Sequence, residues 1–189
     1  MIKKNTKTNI IIFPTDTVYG MGTSIYDQTS LEKIYQIKKR DTKKPMAVLF
    51  NSLEQMKKIA IINNQVKKIA LFFWPGALTL IVQTHPSYCQ LTKEKKIGIR
   101  IPNHLLTLKL LQKKGPLKTT SVNESGFPPL QNLKVLINKY QNQVDYIYLD
   151  NQNLSQTPST VIDTTTTPFW RVLRKGAITL SMIRKILIK

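Results

Sequence analysis

The chain is poor in the residues that build disulfides, metal centres and membrane spans. It has one cysteine, Cys89, and only two histidines, His85 and His104. A single cysteine can form neither an intrachain disulfide nor a thiolate cluster, and no H-E-x-x-H pattern occurs, so we expect no protein-bound metal and a reducing compartment. The first apolar run, residues 10–13, ends at Pro14 and is too short for a signal peptide core or a membrane span. These absences lead us to expect a cytoplasmic protein without a membrane partner.

The sequence also lacks the motifs of several common catalytic sites. No G-x-x-x-x-G-K-[ST] segment is present and no G-x-G-x-x-G follows a predicted strand, so a nucleotide would have to be held in another way. The G-x-S-x-G turn of serine hydrolases is absent. The ten acidic residues form no close pair beyond those that turns and helix caps explain, which argues against a glycosidase.

Acidic residues are scarce compared with basic ones, and the net charge is +19. An excess of this size suits nucleic-acid binding, because lysine and arginine neutralise phosphates. However, 24 of the 29 basic residues are lysines, and their pairs lie along predicted helices, so a solvated face is the interpretation we favour for most of the excess charge. The five arginines are more informative, because lysine replaces a guanidinium poorly at a bidentate anion site.

The order of apolar patterns predicts an α/β domain. Strands are predicted at residues 10–13, 46–50, 78–82, 97–101, 117–120, 146–149, 160–163 and 171–173. Helices are predicted from Thr29 to about 38–40, from Ser52 onward, and at residues 66–73, 105–111, 132–140 and 181–188, the last capped by Thr179 or Ser181. Residues 14–22 are predicted to form an ordered loop and residues 151–158 a surface loop. Strands and helices do not alternate strictly, so we expect one domain, residues 1–189, with a twisted mixed sheet flanked by helices and a short leader at 1–9.

Three polar segments follow predicted strands. They are residues 15–17 (T-D-T), Arg100, and residues 119–123 (T-T-S-V-N). Ligands usually bind at strand ends in open α/β sheets, so these groups are expected to converge on one crevice. Each segment taken alone is also explained by a turn, a cap or a surface ion pair.

A basic cluster lies where the first predicted helix ends. It consists of Lys38, Arg40, Lys43 and Lys44. The cluster would complement the dipole at the helix C-terminus, or it would bind a polyanion such as a triphosphate. The spacing leaves both alternatives open.

Seven short motifs occur in order along the chain. They are P-T-D-T-V-Y-G-M-G at 14–22, K-K-R at 38–40 with K-P at 44–45, W-P-G-A-L-T at 74–79, I-R-I-P at 99–102, T-S-V-N-E-S-G at 120–126, P-S-T-V-I-D at 158–163 and L-R-K-G at 173–176. Together they resemble the YrdC-like family of threonylcarbamoyl-AMP synthases. Three of the five arginines lie within them. The resemblance implies a single YrdC-like domain with an open ligand crevice.

The resemblance also implies an activity. The family's reaction makes threonylcarbamoyl-AMP and pyrophosphate from L-threonine, bicarbonate and ATP, for threonylcarbamoyladenosine modification of tRNA, so a nucleotidyltransferase is expected. Mg²⁺ is expected on the ATP phosphates. A downstream threonylcarbamoyl transferase complex is the implied partner, with tRNA or double-stranded RNA as a further one.

Site residues follow from the resemblance by matching motif positions. The implied catalytic set is Lys38, Arg40, Ser121 and Asn123. The implied ATP contacts are Arg40, Lys44, Ser121 and Arg174. The implied threonine contacts are Thr17, Arg100, Thr119 and Ser159. The chain departs from the family pattern at Asp41, Ala77 and Pro129, and we expect a reduced first helix and no second domain.

Two other functions remain as alternatives. One is a non-catalytic YrdC-like module that binds tRNA or double-stranded RNA, which the charge of +19 favours. The other is a related enzyme that transfers a carbamoyl group from carbamoyl phosphate during hydrogenase maturation. ATP-dependent release of pyrophosphate distinguishes the synthase from both.

Overall fold

The computed structural model describes residues 2–3, 8–150, 154–166 and 170–188. The strands are β1 (Ile2–Lys3), β2 (Ile11–Phe13), β3 (Gly20–Ser24), β4 (Ala47–Leu49), β5 (Leu78–Gln83), β6 (Lys96–Arg100), β7 (Leu117–Ser121), β8 (Tyr146–Ile147), β9 (Thr160–Asp163) and β10 (Arg171–Arg174). The helices are α1 (Gln28–Ile37), α2 (Leu53–Met56), α3 (Asn64–Phe73), α4 (Pro86–Thr92), α5 (Leu105–Lys114), α6 (Leu133–Tyr140) and α7 (Leu180–Ile188). No helix among these residues is long and apolar enough to cross a membrane.

All ten strands belong to one mixed sheet, which confirms the predicted fold class. Their order is β1-β8-β2-β3-β7-β4-β6-β5-β9-β10. The pairs β2–β8, β4–β6 and β5–β9 are parallel and the other neighbours are antiparallel. The prediction that residues 1–189 form a single domain stays a prediction.

Several sequence predictions need correction. Helix α1 is capped by Asp27, whose carboxylate accepts from the backbone N–H of Ser30, and not by Thr29. Part of the predicted loop at 14–22 is strand, because β3 begins at Gly20 and pairs with both β2 and β7. Helix α4 and strand β1 were not predicted; β1 lies within the leader, where residues 1 and 4–7 fall outside the described residues. In the predicted surface loop, residues 151–153 also fall outside them.

Alternation along the central strands gives the sheet two different faces. On one face, Val48, Ile99, Leu80 and Ile162 are neighbours across four adjacent strands and are fully buried. They pack against apolar residues of α3 and α7, and burying each such side chain contributes about 1.5–3 kcal/mol. The opposite face carries the intervening residues, which are small or polar at its centre. Helices therefore cover the first face and leave the centre of the second face open.

The close approach of β3 to β7 requires glycine. Gly22 lies opposite Thr119, and a Cβ atom on Gly22 would come within 2.7 Å of Thr119 Oγ1 and 2.8 Å of the Lys118 carbonyl oxygen. These distances are below van der Waals contact, and one of the opposing atoms is backbone, so the strands would have to separate. Glycine at position 22 thus allows β7 to lie close to β3, and this spacing sets the position of the residues at the C-terminal end of β7.

We predict that Gly22→Ala lowers the free energy of unfolding by about 1–3 kcal/mol, because the added methyl group overpacks the β3–β7 pair. Urea denaturation followed by circular dichroism measures the loss. The matched control is Gly98→Ala, whose new methyl group would lie 3.4 Å from Thr79 Cγ2 and 3.5 Å from Ala47 Cβ, at ordinary contact distance. Equal denaturation midpoints for the two variants would contradict the prediction.

Candidate active site

A cleft of about 240 Å³ lies on the open face of the sheet. Its floor is built by cross-strand neighbours, among them Leu49 beside Arg100, Ile81 beside Gly98 and Ala47 beside Thr119. Its walls come from the loop that follows β2, the segment after α1 and the segment before β9. The cleft therefore gathers all three polar segments that the sequence predicted to converge.

Seven of the ten predicted site residues line the cleft. They are Thr17, Arg40, Arg100, Thr119, Ser121, Ser159 and Arg174. The other three, Lys38, Lys44 and Asn123, lie outside its lining. The structure thus brings most of the predicted set together, while the role of each residue stays a prediction.

Arg100 is held by acceptors from three sides. Its Nε donates to the carbonyl oxygen of Gly76 at 2.9 Å, and its Nη1 donates to Thr17 Oγ1 at 3.0 Å. Its Nη2 donates to Asp16 Oδ1 at 2.5 Å. Burial lowers the pKa of Arg100, and the Asp16 carboxylate opposes that shift. A guanidinium has five N–H groups, so two remain without an acceptor in the described part of the chain.

Arg174, at the end of β10, also lines the cleft. Its Nε and Nη2 donate to the carbonyl and hydroxyl oxygens of Ser159, both at 2.9 Å. The Ser159 hydroxyl also bonds to Thr79 Oγ1 at 2.8 Å. Desolvation of the guanidinium and the nearby charge of Arg100 both lower the pKa of Arg174. Two positively charged guanidinium groups thus line one cleft, and they repel each other when no anion lies between them.

The segment after α1 places one basic residue in the cleft and another outside it. Arg40 Nε donates to the Lys44 carbonyl oxygen at 3.1 Å, and Arg40 Nη2 donates to the Pro45 carbonyl oxygen at 3.0 Å. These bonds fold the segment back on itself and turn Arg40 toward the cleft, whereas Lys44 is exposed. Of the basic cluster seen in the sequence, the fold therefore brings Arg40 into the cleft lining and leaves Lys44 outside it.

Lys38 is buried behind the cleft and holds the turn after β7. Lys38 is 1% exposed. Its Nζ donates to the Ser121 carbonyl oxygen, the Asn123 carbonyl oxygen and Asn123 Oδ1. Asn123 Oδ1 also accepts from Ser121 Oγ at 2.7 Å. Burial, and to a lesser extent the charge of Arg40, lowers the pKa of Lys38 to about 8. Since all three protons of the ammonium are used, Lys38 acts on the Ser121 hydroxyl only through Asn123 Oδ1, and it does not line the cleft.

Four polar residues of the site are not among the ten that the resemblance assigned individually. Thr15, Thr79 and Thr120 line the cleft, and Asp16 pairs with Arg100 from behind it. Thr15 and Asp16 lie in the polar segment 15–17 and Thr120 lies in the segment 119–123, and both segments were expected to converge on the crevice. No spacing rule distinguished these three residues within their segments. Thr79 lies within a predicted strand, where its position gives no sign of a functional role. Its hydrogen bond to Ser159 in the folded protein is what connects it to the site.

The departures from the family pattern lie away from the cleft lining. Neither Asp41, Ala77 nor Pro129 is among the described residues that form it. Among the described residues there is also no group of three His, Cys, Asp or Glu side chains placed to share a metal ion.

The charge of the cleft favours anionic ligands. Among the described residues, three arginines line it, and the carboxylate that bonds to one of them, that of Asp16, is outside the lining. Hydroxyl groups of threonine and serine occupy the space between the arginines. Guanidinium groups bind carboxylates and phosphates bidentately, and hydroxyls bind polar substituents of the same ligand. The cleft is thus suited to a ligand with several separated anionic groups.

Several known proteins are similar to this chain in sequence. A family model for Sua5, YciO and YrdC, described as "Telomere recombination", matches residues 4–176. A Methanocaldococcus jannaschii protein, provisionally named threonylcarbamoyl-AMP synthase, is 32% identical over 153 residues, which are 81% of this chain and 73% of that protein. The threonylcarbamoyl-AMP synthase of Pyrococcus abyssi is 29% identical over 182 residues, 94% of this chain.

A solved structure is also similar. The crystal structure of P. abyssi Sua5 complexed with L-threonine aligns with a TM-score of 0.86 and 28% identity, over 95% of this chain and 54% of that one. This chain therefore spans about half the length of the P. abyssi protein.

One buried histidine next to the loop after β2 has a testable pH effect. His104 is 2% exposed, and neither ring nitrogen has a hydrogen-bond partner among the described residues, although Asp150 Oδ2 lies 3.5 Å from Nε2. Burial lowers the pKa of His104 and outweighs the opposing charges of Asp150 and Asp16. The unfolded chain consequently binds a proton more readily than the folded one, so stability falls as the pH drops below about 6.5.

We predict that His104→Gln removes this acid-side loss of stability, because the variant no longer has the group that resists protonation. Urea denaturation of both proteins at a series of pH values between 7 and 5 measures the slope. His85→Gln, which removes the exposed histidine, is the control and retains the wild-type slope. A wild-type slope in the His104 variant would show that another group is responsible.

Proposed function

Because the chain belongs to the Sua5/YciO/YrdC family, we propose that it is an L-threonylcarbamoyladenylate synthase. The substrates are L-threonine, bicarbonate and ATP, and the products are threonylcarbamoyl-AMP and pyrophosphate. The observation that carries the proposal is the meeting of Arg40, Arg100 and Arg174 in one cleft lined with hydroxyl groups. A non-catalytic RNA-binding module would have no need to bury such a set in a concave site.

The threonine end of the cleft is assigned to Arg100, Thr17, Thr119 and Ser159. The two N–H groups of Arg100 that lack an acceptor suit a carboxylate, which accepts two parallel hydrogen bonds. The hydroxyls of the three other residues are buried and can bond to the amine and hydroxyl of the substrate. Carboxylate binding at Arg100 would thereby direct the threonine amine toward the middle of the cleft.

The ATP end is assigned to Arg40, Ser121, Arg174 and Lys44. Arg40 and Arg174 line the cleft, and their guanidinium groups are already held by bonds to backbone carbonyl oxygens, so little ordering is needed when phosphates bind. Lys44 is exposed near the same segment and would reach the outer phosphates as a flexible point charge. Mg²⁺ would arrive on the phosphates of ATP.

The chemistry needs positioning and charge stabilisation more than a protein nucleophile. The threonine amine attacks the carbon of bicarbonate to give a carbamate, with loss of water. A carbamate oxygen then attacks the α-phosphorus of ATP, and pyrophosphate leaves. Every reactant except the amine is anionic, so the arginines lower the barrier by offsetting charge that builds up on the phosphate oxygens.

Lys38 and Asn123 are assigned to the catalytic set through Ser121. Lys38 bonds to both backbone carbonyls of the turn, and Asn123 Oδ1 fixes the Ser121 hydroxyl. Ser121 lines the cleft, whereas the other two do not. Their contribution is therefore to hold the hydroxyl in place before the substrates bind.

The product sets the expected partners and location. A mixed anhydride of a carbamate and AMP is labile, so a threonylcarbamoyl transferase complex would take it onward to tRNA in the cytoplasm. Direct contact of this chain with tRNA or double-stranded RNA is a separate proposal that rests on the charge of +19.

Pyrophosphate release by the purified protein tests the proposed function. The assay contains ATP and Mg²⁺, with L-threonine and bicarbonate each present or omitted, and the nucleotide product is identified by mass. Release that requires both co-substrates, together with a threonylcarbamoyl adenylate, supports the synthase. No release from folded protein favours the RNA-binding module, and turnover of carbamoyl phosphate instead favours the carbamoyl transferase.

We predict that Arg40→Ala and Ser121→Ala each lower the rate of pyrophosphate release by about 100-fold, because each removes a group that contacts the reacting phosphates. The same assay at saturating substrates measures the loss, and circular dichroism checks that the variants fold. Lys43→Ala is the matched control, since Lys43 is an exposed lysine three residues after Arg40 and outside the cleft lining. Wild-type rates in both site variants would refute the assignment.

A further inference from the structure

Asp16 makes one of the few buried ion pairs in the described structure, and it does so from behind the cleft. Its Oδ1 lies 2.5 Å from Arg100 Nη2, and the two side chains are 17% and 7% exposed. Asp16 itself does not line the cleft, although Thr15 and Thr17 on either side of it do. Its carboxylate therefore contacts a cleft residue without meeting the ligand.

The same oxygen anchors the loop after β2 to the start of α5. Asp16 Oδ1 accepts from the backbone N–H of Asn103 at 3.0 Å, and the Thr107 hydroxyl donates to the carbonyl oxygen of Pro14. On the other side of the loop, Ser155 N–H donates to the Asp16 carbonyl oxygen at 3.2 Å. Asp16 thus connects the loop, the helix and Arg100 through one carboxylate and one backbone carbonyl.

From this geometry we infer that Asp16 is a positioning residue for the threonine site. It fixes Arg100 directly, and through the loop it fixes Thr17, whose hydroxyl accepts from Arg100 Nη1. With three of the five Arg100 N–H groups occupied by protein, the direction of the remaining two is set before any ligand binds. The inference rests on the proposed function, because it takes L-threonine as the ligand that presents a carboxylate to Arg100.

Two effects of removing Asp16 oppose each other. Loss of its negative charge would let Arg100 attract a substrate carboxylate more strongly, while loss of the tether would free Arg100 and the loop to move. We expect the second effect to be larger, because Asp16 holds two threonine contacts and because a bidentate bond depends steeply on orientation. The prediction is therefore a loss of threonine affinity and not a gain.

We predict that Asp16→Ala raises the KM for L-threonine by about tenfold or more and changes the KM for ATP by less than about twofold. Asp16→Asn keeps an acceptor oxygen for Arg100 and Asn103, so its KM for threonine lies between those of the wild type and the alanine variant. Initial rates of pyrophosphate release at varied L-threonine, and separately at varied ATP, give both constants. A purely structural role would lower the active fraction and leave both KM values unchanged.

Glu94→Gln is the matched control. Glu94 forms a carboxylate–ammonium pair of the same length and similar burial, 2.5 Å from Lys118 Nζ, and does not line the cleft. It should leave the KM for threonine at the wild-type value. If wild-type protein turns over but Asp16→Ala shows an unchanged or lower KM for threonine, or an equal rise for ATP, the role of Asp16 is refuted and the proposed function stands. If the wild type does not turn over threonine, both are refuted.

Discussion

The hydrogen bonds of one buried guanidinium, that of Arg100, hold the candidate site together. Its partners lie 24, 83 and 84 residues away in sequence, on the turn before β5 and on the loop after β2. A buried charge without partners costs about 3–5 kcal/mol, so a fold that places Arg100 at the end of β6 must bring acceptors to it. The loop and the turn that satisfy Arg100 are also walls of the cleft. Stability and the shape of the site consequently depend on the same contacts.

The sheet explains why a concave site exists at this place. Val48, Leu80 and Ile99 form a continuous apolar row on the face covered by helices. The residues between them on the same strands, such as Ala47 and Gly98, are too small to fill the opposite face. Because side chains alternate along a strand, one stretch of sequence supplies both the core on one side and the floor of the cleft on the other.

Charge is distributed less uniformly than the value of +19 suggests. Arginines 40, 100 and 174 converge on the cleft, whereas Lys43 and Lys44 are exposed and outside its lining. Lys38 differs from these exposed lysines, because it is buried and its ammonium donates three hydrogen bonds to the turn that carries Ser121. Through Asn123 these bonds hold the Ser121 hydroxyl in position. A charged residue near the site can therefore support it by orienting another side chain, without contacting a ligand.

Local alternation, caps and ordered motifs are encoded in adjacent residues, and they predicted most of the helices and strands with most of their bounds. The family resemblance, which rests on those ordered motifs, implied ten site residues, and seven of these line the cleft. Strand β3, which is rich in glycine and lacks an apolar alternation, was predicted as loop, and the cap of α1 was placed two residues late, since Asp27 and Thr29 are both suitable capping residues. Only the tertiary structure separated Arg40 from Lys44, turned Lys38 away from the cleft and joined Asp16 to Arg100. The last two outcomes depend on which side of a strand or turn meets a partner more than 80 residues away, and no local pattern records that.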